Sequence, residues 1–327
     1  FPDSASTRPR MIDVALVSRR QTSRLGGDGG VIAVARAPPA RRRSRPEIAM
    51  NTITEPPDRK TAPPAGTTAG APRLGSETGS AVAALSSGPV CCLCRSSVAA
   101  WVPHPQIAMR SDFMALMDVI GSDLSVYLCP SCQSNDRERH LWLYMHASGI
   151  ASQIAGARVL HVAPEVSLEP LIRDLGPAEY LCGDLVPTRP GHSKLDVENL
   201  ERPDASLDLI VRNHVLEHVD DPSRALREFY RCLAPGGLLI AQTPYSPRLL
   251  HGFEVHGSVS ATFARLFYGQ EDHRRLFGAD LFAMFASAGF LGRPLDHETV
   301  LPGVEPRQFG CNGREPFFVF YKQDESA

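Results

Sequence analysis

The amino-acid sequence predicts an α/β domain built on a doubly wound, mostly parallel sheet, with a small metal-binding module in front of it. Three observations lead there. From residue 157 onward, short apolar runs alternate with stretches of helical period. Acidic or polar residues stand at the ends of successive apolar runs. Two Cys-x-x-Cys pairs lie just upstream.

The run 158–163 (RVLHVA) reads as a first strand, apolar on both faces as a buried parallel strand must be. Ser167 opens a helix, with Pro170 tolerated in its first turn and Leu168, Leu171, Ile172 and Leu175 at positions i, i+3, i+4 and i+7. Gly176-Pro177 stops it. A second strand over 179–183 ends at Asp184, a short third over 193–196 ends at Asp196, and a fourth covers 207–212. Asp221 and Pro222 serve as N-cap and first residue of the next helix, whose apolar face is Leu226, Phe229, Tyr230 and Leu233. Pro235-Gly236-Gly237 is expected to end that helix before a fifth strand over 238–242.

The chain has 327 residues, enough for one large domain and a smaller one. A hydrophobic content of 43%, a charged content of 21% and a net charge of −2 mark an ordinary globular chain, with no excess of either sign to capture polyanions. No apolar stretch approaches the length of a membrane span. Residues 1–88 carry no sustained period and are rich in Pro, Gly, Ala, Ser, Thr and Arg, with a basic run at 36–45. They read as a disordered tail, or as sequence upstream of a start at Met50. The division is therefore a tail over 1–88, a cysteine module with a connecting helix over 89–150, and the α/β domain over 151–327.

Five of the eight cysteines fall in two groups, Cys91/Cys92/Cys94 and Cys129/Cys132. Each Cys-x-x-Cys puts two thiolates on one tight turn, and two such turns close a tetrahedral site. Cys91, Cys94, Cys129 and Cys132 are thus expected to hold a structural zinc, with Cys92 a spare that competes for the ion. Reduced thiols of this kind point to the cytoplasm. Asn135, with Glu138 three residues on, starts the connecting helix as a capping box, and Gly149 ends it. Arg137, Arg139 and His140 on its first turns are expected to lie on a solvated or interdomain face.

In open α/β sheets a ligand sits beyond the carboxyl ends of the strands. The candidate site is therefore His161, Ala163, Pro164, Glu165, Asp184, Asp196, Asn213 and His214. A carboxylate after the second strand can accept both ribose hydroxyls of a nucleoside. One near the third can accept an adenine amine, and the turn after the first strand offers backbone donors at a helix N-terminus.

At this point a family resemblance enters. The run 206–244 (SLDLIVRNHVLEHVDDPSRALREFYRCLAPGGLLIAQTP) resembles the fourth strand, helix and fifth strand of class I S-adenosylmethionine-dependent methyltransferases. The order CCLC, CPSCQSNDRERHLWLY, VLHVAPE and GQEDHRRLFG is similar to methyltransferases that carry a zinc ribbon. The resemblance implies a Rossmann-like sheet of seven strands with an antiparallel last strand, which 317–322 can supply. It implies S-adenosyl-L-methionine as cofactor, with Asp184 in the place of the ribose-binding acid, Asp196 near adenine, and 161–165 as the loop after the first strand. That loop departs from the family's glycine-rich pattern: it reads His161-Val-Ala-Pro-Glu165, where Ala163 is small but Pro164 removes a donor.

The insert over 244–278, between the fifth strand and the next helix, is long enough to be a functional lid. Methyl transfer mainly requires that acceptor and methyl be held in line, and a hydroxyl acceptor also needs a base. Asp272 and His273 are the expected lining of the acceptor pocket. His214 and His218 share a helical spacing but not the order of a zinc-protease motif, so we expect His214 to touch cofactor or substrate and His218 to pack. The leading function is methylation of a small-molecule acceptor. The rival is a non-catalytic, zinc-dependent binding module, to which the glycine-free turn points. A nicotinamide enzyme is weaker still, since no G-x-G-x-x-G follows the first strand. Nucleic acid as acceptor is left open, but the folded part has no basic stripe with interleaved aromatics.

Overall fold

The computed structural model describes residues 88–324. Of the tail expected over residues 1–88, residues 1–87 lie outside the described residues. All of the described residues fall in one compact unit. In chain order its elements begin with α1 (Asp112–Leu116), α2 (Asp136–Ala147) and α3 (Ile150–Gln153). The sheet region follows with β1 (Arg158–Val162), α4 (Leu168–Asp174), β2 (Glu179–Asp184), β3 (Ser193–Lys194), β4 (Leu207–Asn213), α5 (Pro222–Cys232) and β5 (Leu233–Gln242). After the insert helix α6 (Ala261–Tyr268) come α7 (Leu281–Ser287), β6 (Leu291–Gly292), α8 (His297–Val300) and β7 (Val319–Tyr321).

The seven strands form one sheet in the order β3-β2-β1-β4-β5-β7-β6. The first five are parallel, and β7 runs antiparallel to β5, with Leu239 opposite Phe320. Neighbouring side chains on a strand leave by opposite faces, so each buried strand feeds two cores. Leu160, Val162, Ile210, Leu239 and Ala241 enter one core with Leu226 and Phe229 of α5 and Phe285 of α7. Val159, Leu209, Val211 and Ile240 enter the other with Tyr144 and Met145 of α2, Ile172 of α4 and Phe317. The helices therefore cover both faces, as a parallel sheet requires. Among the described residues no helix is long and apolar enough to cross a membrane.

The structure shifts two expected boundaries. The fifth strand starts at Leu233, and Pro235-Gly236-Gly237 lies inside it as an irregularity where the pairing with β4 jumps from Leu233 to Leu238. Gly236 has φ +75°, a conformation that glycine takes without a Cβ penalty. The third strand is only Ser193–Lys194, so Asp196 sits beyond it.

The connecting helix α2 forms with the expected capping box: Glu138 N donates to Asn135 Oδ1 and Asn135 N to Glu138 Oε2, both at 3.0 Å. Of the two expected placements for Arg137, Arg139 and His140, solvated or interdomain, the structure gives the second: Arg139 and His140 are buried against the 151–327 region. Arg139 is fully buried and donates to the carbonyls of Val126, Phe309 and Gly310, with its guanidinium 4.3 Å from the Trp101 ring centre. A guanidinium has five donors in a planar fork, so one side chain can knit together three chain segments that share no strand pairing. His140 Nε2 lies 2.8 Å from His297 Nδ1, and burial pulls its pKa down to about 3.

Candidate active site

The four cysteines come together. Cys91 Sγ is 3.7 Å from Cys132 Sγ, and Cys94 Sγ is 3.8 Å from Cys129 Sγ. All four sulfurs lie within 4.8 Å of one another. Zinc–sulfur bonds of about 2.3 Å in a tetrahedron space the sulfurs by roughly 3.8 Å, whereas a disulfide needs about 2 Å. The donor set thus fits zinc. Both pairs are made by one kind of turn: Arg95 N donates to Cys91 O at 2.8 Å and Gln133 N to Cys129 O at 3.0 Å, and Arg95 and Gln133 each have φ +62°. Cys92, expected as a spare ligand, is not one of the clustered sulfurs, and its Sγ donates instead to Arg139 O at 3.4 Å.

At the C-terminal ends of the strands, the turn after β1 is made by Ala163 with φ +47°, the left-handed region where glycine would be expected. Holding a Cβ there costs about 1 kcal/mol or more. The turn is kept in place because Ala163 N donates to Gly183 O at 2.7 Å, one residue before Asp184. Asp184 is half-buried, and no described residue donates to its carboxylate. His214, at the end of β4, also has a positive φ, +58°. Left-handed residues other than glycine cluster at functional sites, and these two flank the same rim.

His161 lies within β1 and is fully buried. Its Nδ1 is 2.7 Å from Tyr180 Oη and its Nε2 3.0 Å from Glu165 Oε2, so both ring nitrogens are used. It reaches the rim only through Glu165. Burial pushes the Glu165 carboxyl up, but the hydrogen bond and charge of His161 outweigh it and hold the group below its ordinary value. Pro164 O accepts from Arg189, whose guanidinium also lies 3.0 Å from Glu169. Asp196 is exposed and accepts from Glu198 N at 2.9 Å, a local turn. Asn213 is buried, with its Oδ1 unpartnered.

The insert closes over the end of β4 and the turn that follows. It is held by Arg275, which donates to the carbonyls of Leu216, Val219 and Asp220 and to both oxygens of Glu254. Arg274 N donates to Glu217 O at 2.9 Å. On its other side the insert packs Tyr268, Ala264 and Leu276 against Met114 and Val119, from the segment that follows the first cysteine pair. These contacts bring His273 against Glu217, with Nε2 4.0 Å from Oε1. Asp272 is exposed, its Oδ2 lying 3.4 Å from His218 Nδ1. His218 was expected to pack, and instead joins this group. Burial pulls it down, but Asp272 and Glu217 hold its pKa above the ordinary value.

Glu217, Glu315, Asp136 and Glu138 were not read as site residues from the sequence, and Arg137 was read as a solvated or interdomain charge. Glu217 is fully buried; burial opposes its charge, but His214 at 3.3 Å and the neighbouring His218 and His273 hold its carboxyl far below the usual range. Glu315 Oε1 is 3.1 Å from His214 Nε2. Asp136 and Glu138, at the buried tip of α2, are both raised to about 7 by burial, with Glu165 adding to the effect on Glu138. Arg137 lies among Tyr127, Asp136, Glu315 and Glu217, whose charges outweigh burial and raise it. The signal for Glu217 was a lone acid between apolar residues in VLEHV. Glu315 carried no local signal.

Residues 178–241 match the sequence profile of the family described as "Methyltransferase domain". The seven strands and the antiparallel β7 are those the resemblance implies. Residues 178–241, which run from β2 into β5, thus carry the sequence pattern of a methyltransferase domain. No curated protein matches it. The methyltransferase domain is similar to a solved S-adenosylmethionine-dependent methyltransferase from Mesorhizobium loti, 16% identical with a TM-score of 0.38, covering 55% of this chain and 98% of that one. It is also similar to the Burkholderia thailandensis 1,6-didemethyltoxoflavin-N1-methyltransferase, solved with 1,6-didemethyltoxoflavin and S-adenosylhomocysteine. There the identity is 18%, the TM-score 0.36 and the coverage 56% of this chain and 81% of that one. At these TM-scores neither likeness adds to the case made by the sheet.

Proposed function

We propose that the protein is an S-adenosylmethionine-dependent methyltransferase acting on a small-molecule acceptor in the cytoplasm, with a structural zinc at Cys91, Cys94, Cys129 and Cys132. The observation that carries this reading is the left-handed Ala163 turn, hydrogen-bonded to the end of β2 beside the unpaired carboxylate of Asp184. The rival reading as a non-catalytic module drew on the missing glycine. A turn that takes the glycine conformation without one supports the enzyme.

In this reading Asp184 accepts the ribose hydroxyls and Asp196 lies toward the adenine. Ala163 and Pro164 form the small wall that the cofactor approaches. Bound there, S-adenosylmethionine supplies an electrophilic methyl group. His161 fixes the Glu165 carboxylate, while Asn213 and His214 form the floor. The insert excludes water, and Asp272 and His273 flank the acceptor. His273 Nδ1 is 2.7 Å from Tyr268 O, which fixes its proton on Nδ1 and leaves Nε2 as a lone pair.

Calorimetric titration with S-adenosylmethionine and with S-adenosylhomocysteine tests the reading. Wild type should bind both. Asp184→Ala should bind roughly 10- to 100-fold more weakly, the loss of hydrogen bonds to a charged acceptor. No heat with either compound, or an unchanged affinity in Asp184→Ala, overturns it.

A further inference from the structure

We propose that Glu217, His218 and His273 form a binding site for one divalent transition-metal ion, separate from the four-cysteine centre. One donor atom from each of the three residues lies within 4.8 Å of the others, and two of the residues are buried. They come from two parts of the chain, the turn after β4 and the insert.

The decisive observation is a set of buried atoms without partners. Both carboxylate oxygens of Glu217 and Nε2 of His273 are buried and make no hydrogen bond. Their side chains are 0% and 5% exposed. Leaving such groups unpaired is costly, and most buried polar atoms find a partner. The tautomer sharpens the point. His273 Nδ1 faces the Tyr268 carbonyl, which only accepts, so Nδ1 carries the hydrogen. Nε2 of the neutral ring is then a lone pair aimed at a carboxylate 4.0 Å away. Two acceptors face each other in a dry place: His214 Nδ1 lies 3.3 Å from Glu217 Oε1, but no donor reaches Glu217 Oε2 or His273 Nε2, and a cation between them would satisfy both.

The surroundings suit a metal ligand. A ligating imidazole commonly gives its other N–H to a backbone carbonyl, which fixes the tautomer and orients the ring, and His273 does so to Tyr268 O. Two imidazoles and a carboxylate are the donors of zinc and of non-haem iron, manganese or cobalt sites with open positions, and not of magnesium or calcium, which prefer oxygen. Asp272, 3.4 Å from His218, stands at the mouth as a further carboxylate. Metal bonds near 2.1 Å place donors roughly 3 to 3.5 Å apart, so the ion draws the three side chains inward by about 1 Å. A second group of similar composition, Glu169, Cys182 and His192, does not qualify. Its carboxylate already pairs with Arg173 and Arg189, whose positive charges fill the place an ion would take.

The inference stands apart from methyl transfer, because binding alone reads it out. If the ion is bound, His273 Nε2 is a ligand and not a free base, and an acceptor oxygen is oriented by the metal. The experiment uses the full chain with one equivalent of zinc already at the cysteines, dialysed against Zn²⁺ or Mn²⁺ alone and analysed for metal content. Wild type should take up a second equivalent. Glu217→Gln and His273→Gln should each bind it at least roughly tenfold more weakly while keeping the first equivalent and the wild-type circular dichroism. His251→Ala, on the surface of the insert, should bind as wild type does. Should one of the two site variants fail to fold, the other decides. Saturation of wild type at one equivalent with both metals overturns the proposal, as does unchanged affinity in a folded Glu217→Gln or His273→Gln.

Discussion

Two groups of metal-type donors sit in this chain, and they were built in different ways. The four cysteines come from two tight turns, each with a left-handed residue four positions after its first cysteine, at Arg95 and Gln133. The geometry of each half is local, and only the meeting of the halves is tertiary. The Glu217–His218–His273 group has no local half of that kind. His273 arrives from the insert and is held against Glu217 by Arg274 N and by the Arg275 clamp. A site made of local turns is written in residue spacing, whereas a site made by a long insert depends on everything that positions the insert.

The largest effect expected from this contrast is at the cysteines. Structural zinc in small modules is worth roughly 10 kcal/mol of folding free energy. Cys91→Ser combined with Cys129→Ser should therefore abolish cooperative unfolding of the cysteine module and loosen the packing of α1 on the insert. Thermal melts and protection of amides over 88–135 from hydrogen exchange measure this. Wild-type protection in the double variant would show that the module stands without metal.

A smaller effect is expected at Arg275. Its partner Glu254 is 42% exposed, so the ion pair itself is worth little. The cost of Arg275→Ala lies in the buried carbonyls of Leu216 and Val219 that lose their donor, roughly 2 to 3 kcal/mol. The midpoint of denaturant unfolding should fall accordingly while zinc content stays at the wild-type value. A variant with unchanged stability would mean that the insert is held elsewhere.

A further effect, one that depends on pH, concerns the helix tip between the two regions. Asp136 and Glu138 are raised to about 7 from ordinary values of 3.8 and 4.5, chiefly by burial. A carboxyl whose pKa is raised on folding stabilises fully below its unfolded value, and that stability is lost as pH rises through the folded value. Between pH about 4.5 and about 7 these two groups should therefore weaken the fold as pH rises. In Asp136→Asn/Glu138→Gln the dependence of Tm on pH over that window should be flatter than in wild type. Parallel curves would show that both carboxyls titrate normally.

The sheet was legible because its signals are local and repeated. The strands at 158–162, 179–184 and 207–213 and the Asp221-Pro222 helix start can be read from apolar runs, caps and stops. The irregularity at Pro235-Gly236-Gly237 was not legible, since the same residues can end a helix or bend a strand, and only pairing with β4 selects the second. At the site, the turn after β1, the positions of Asp184 and His214 at strand ends, and the two cysteine turns follow from residue order along the chain.

By itself, the sequence determined the strands and helices from β1 to α5, which thiols can share an ion, and which strand ends form the rim. Those properties depend on neighbours a few residues away. The tertiary structure alone decided that Arg139 is a buried clamp and not a solvated charge, and that Cys92 is not one of the clustered sulfurs. It also decided that Glu217 is enclosed by His214, His218 and His273. A charged residue reads the same in sequence whether water or protein surrounds it, and only packing determines which of the two solvates it.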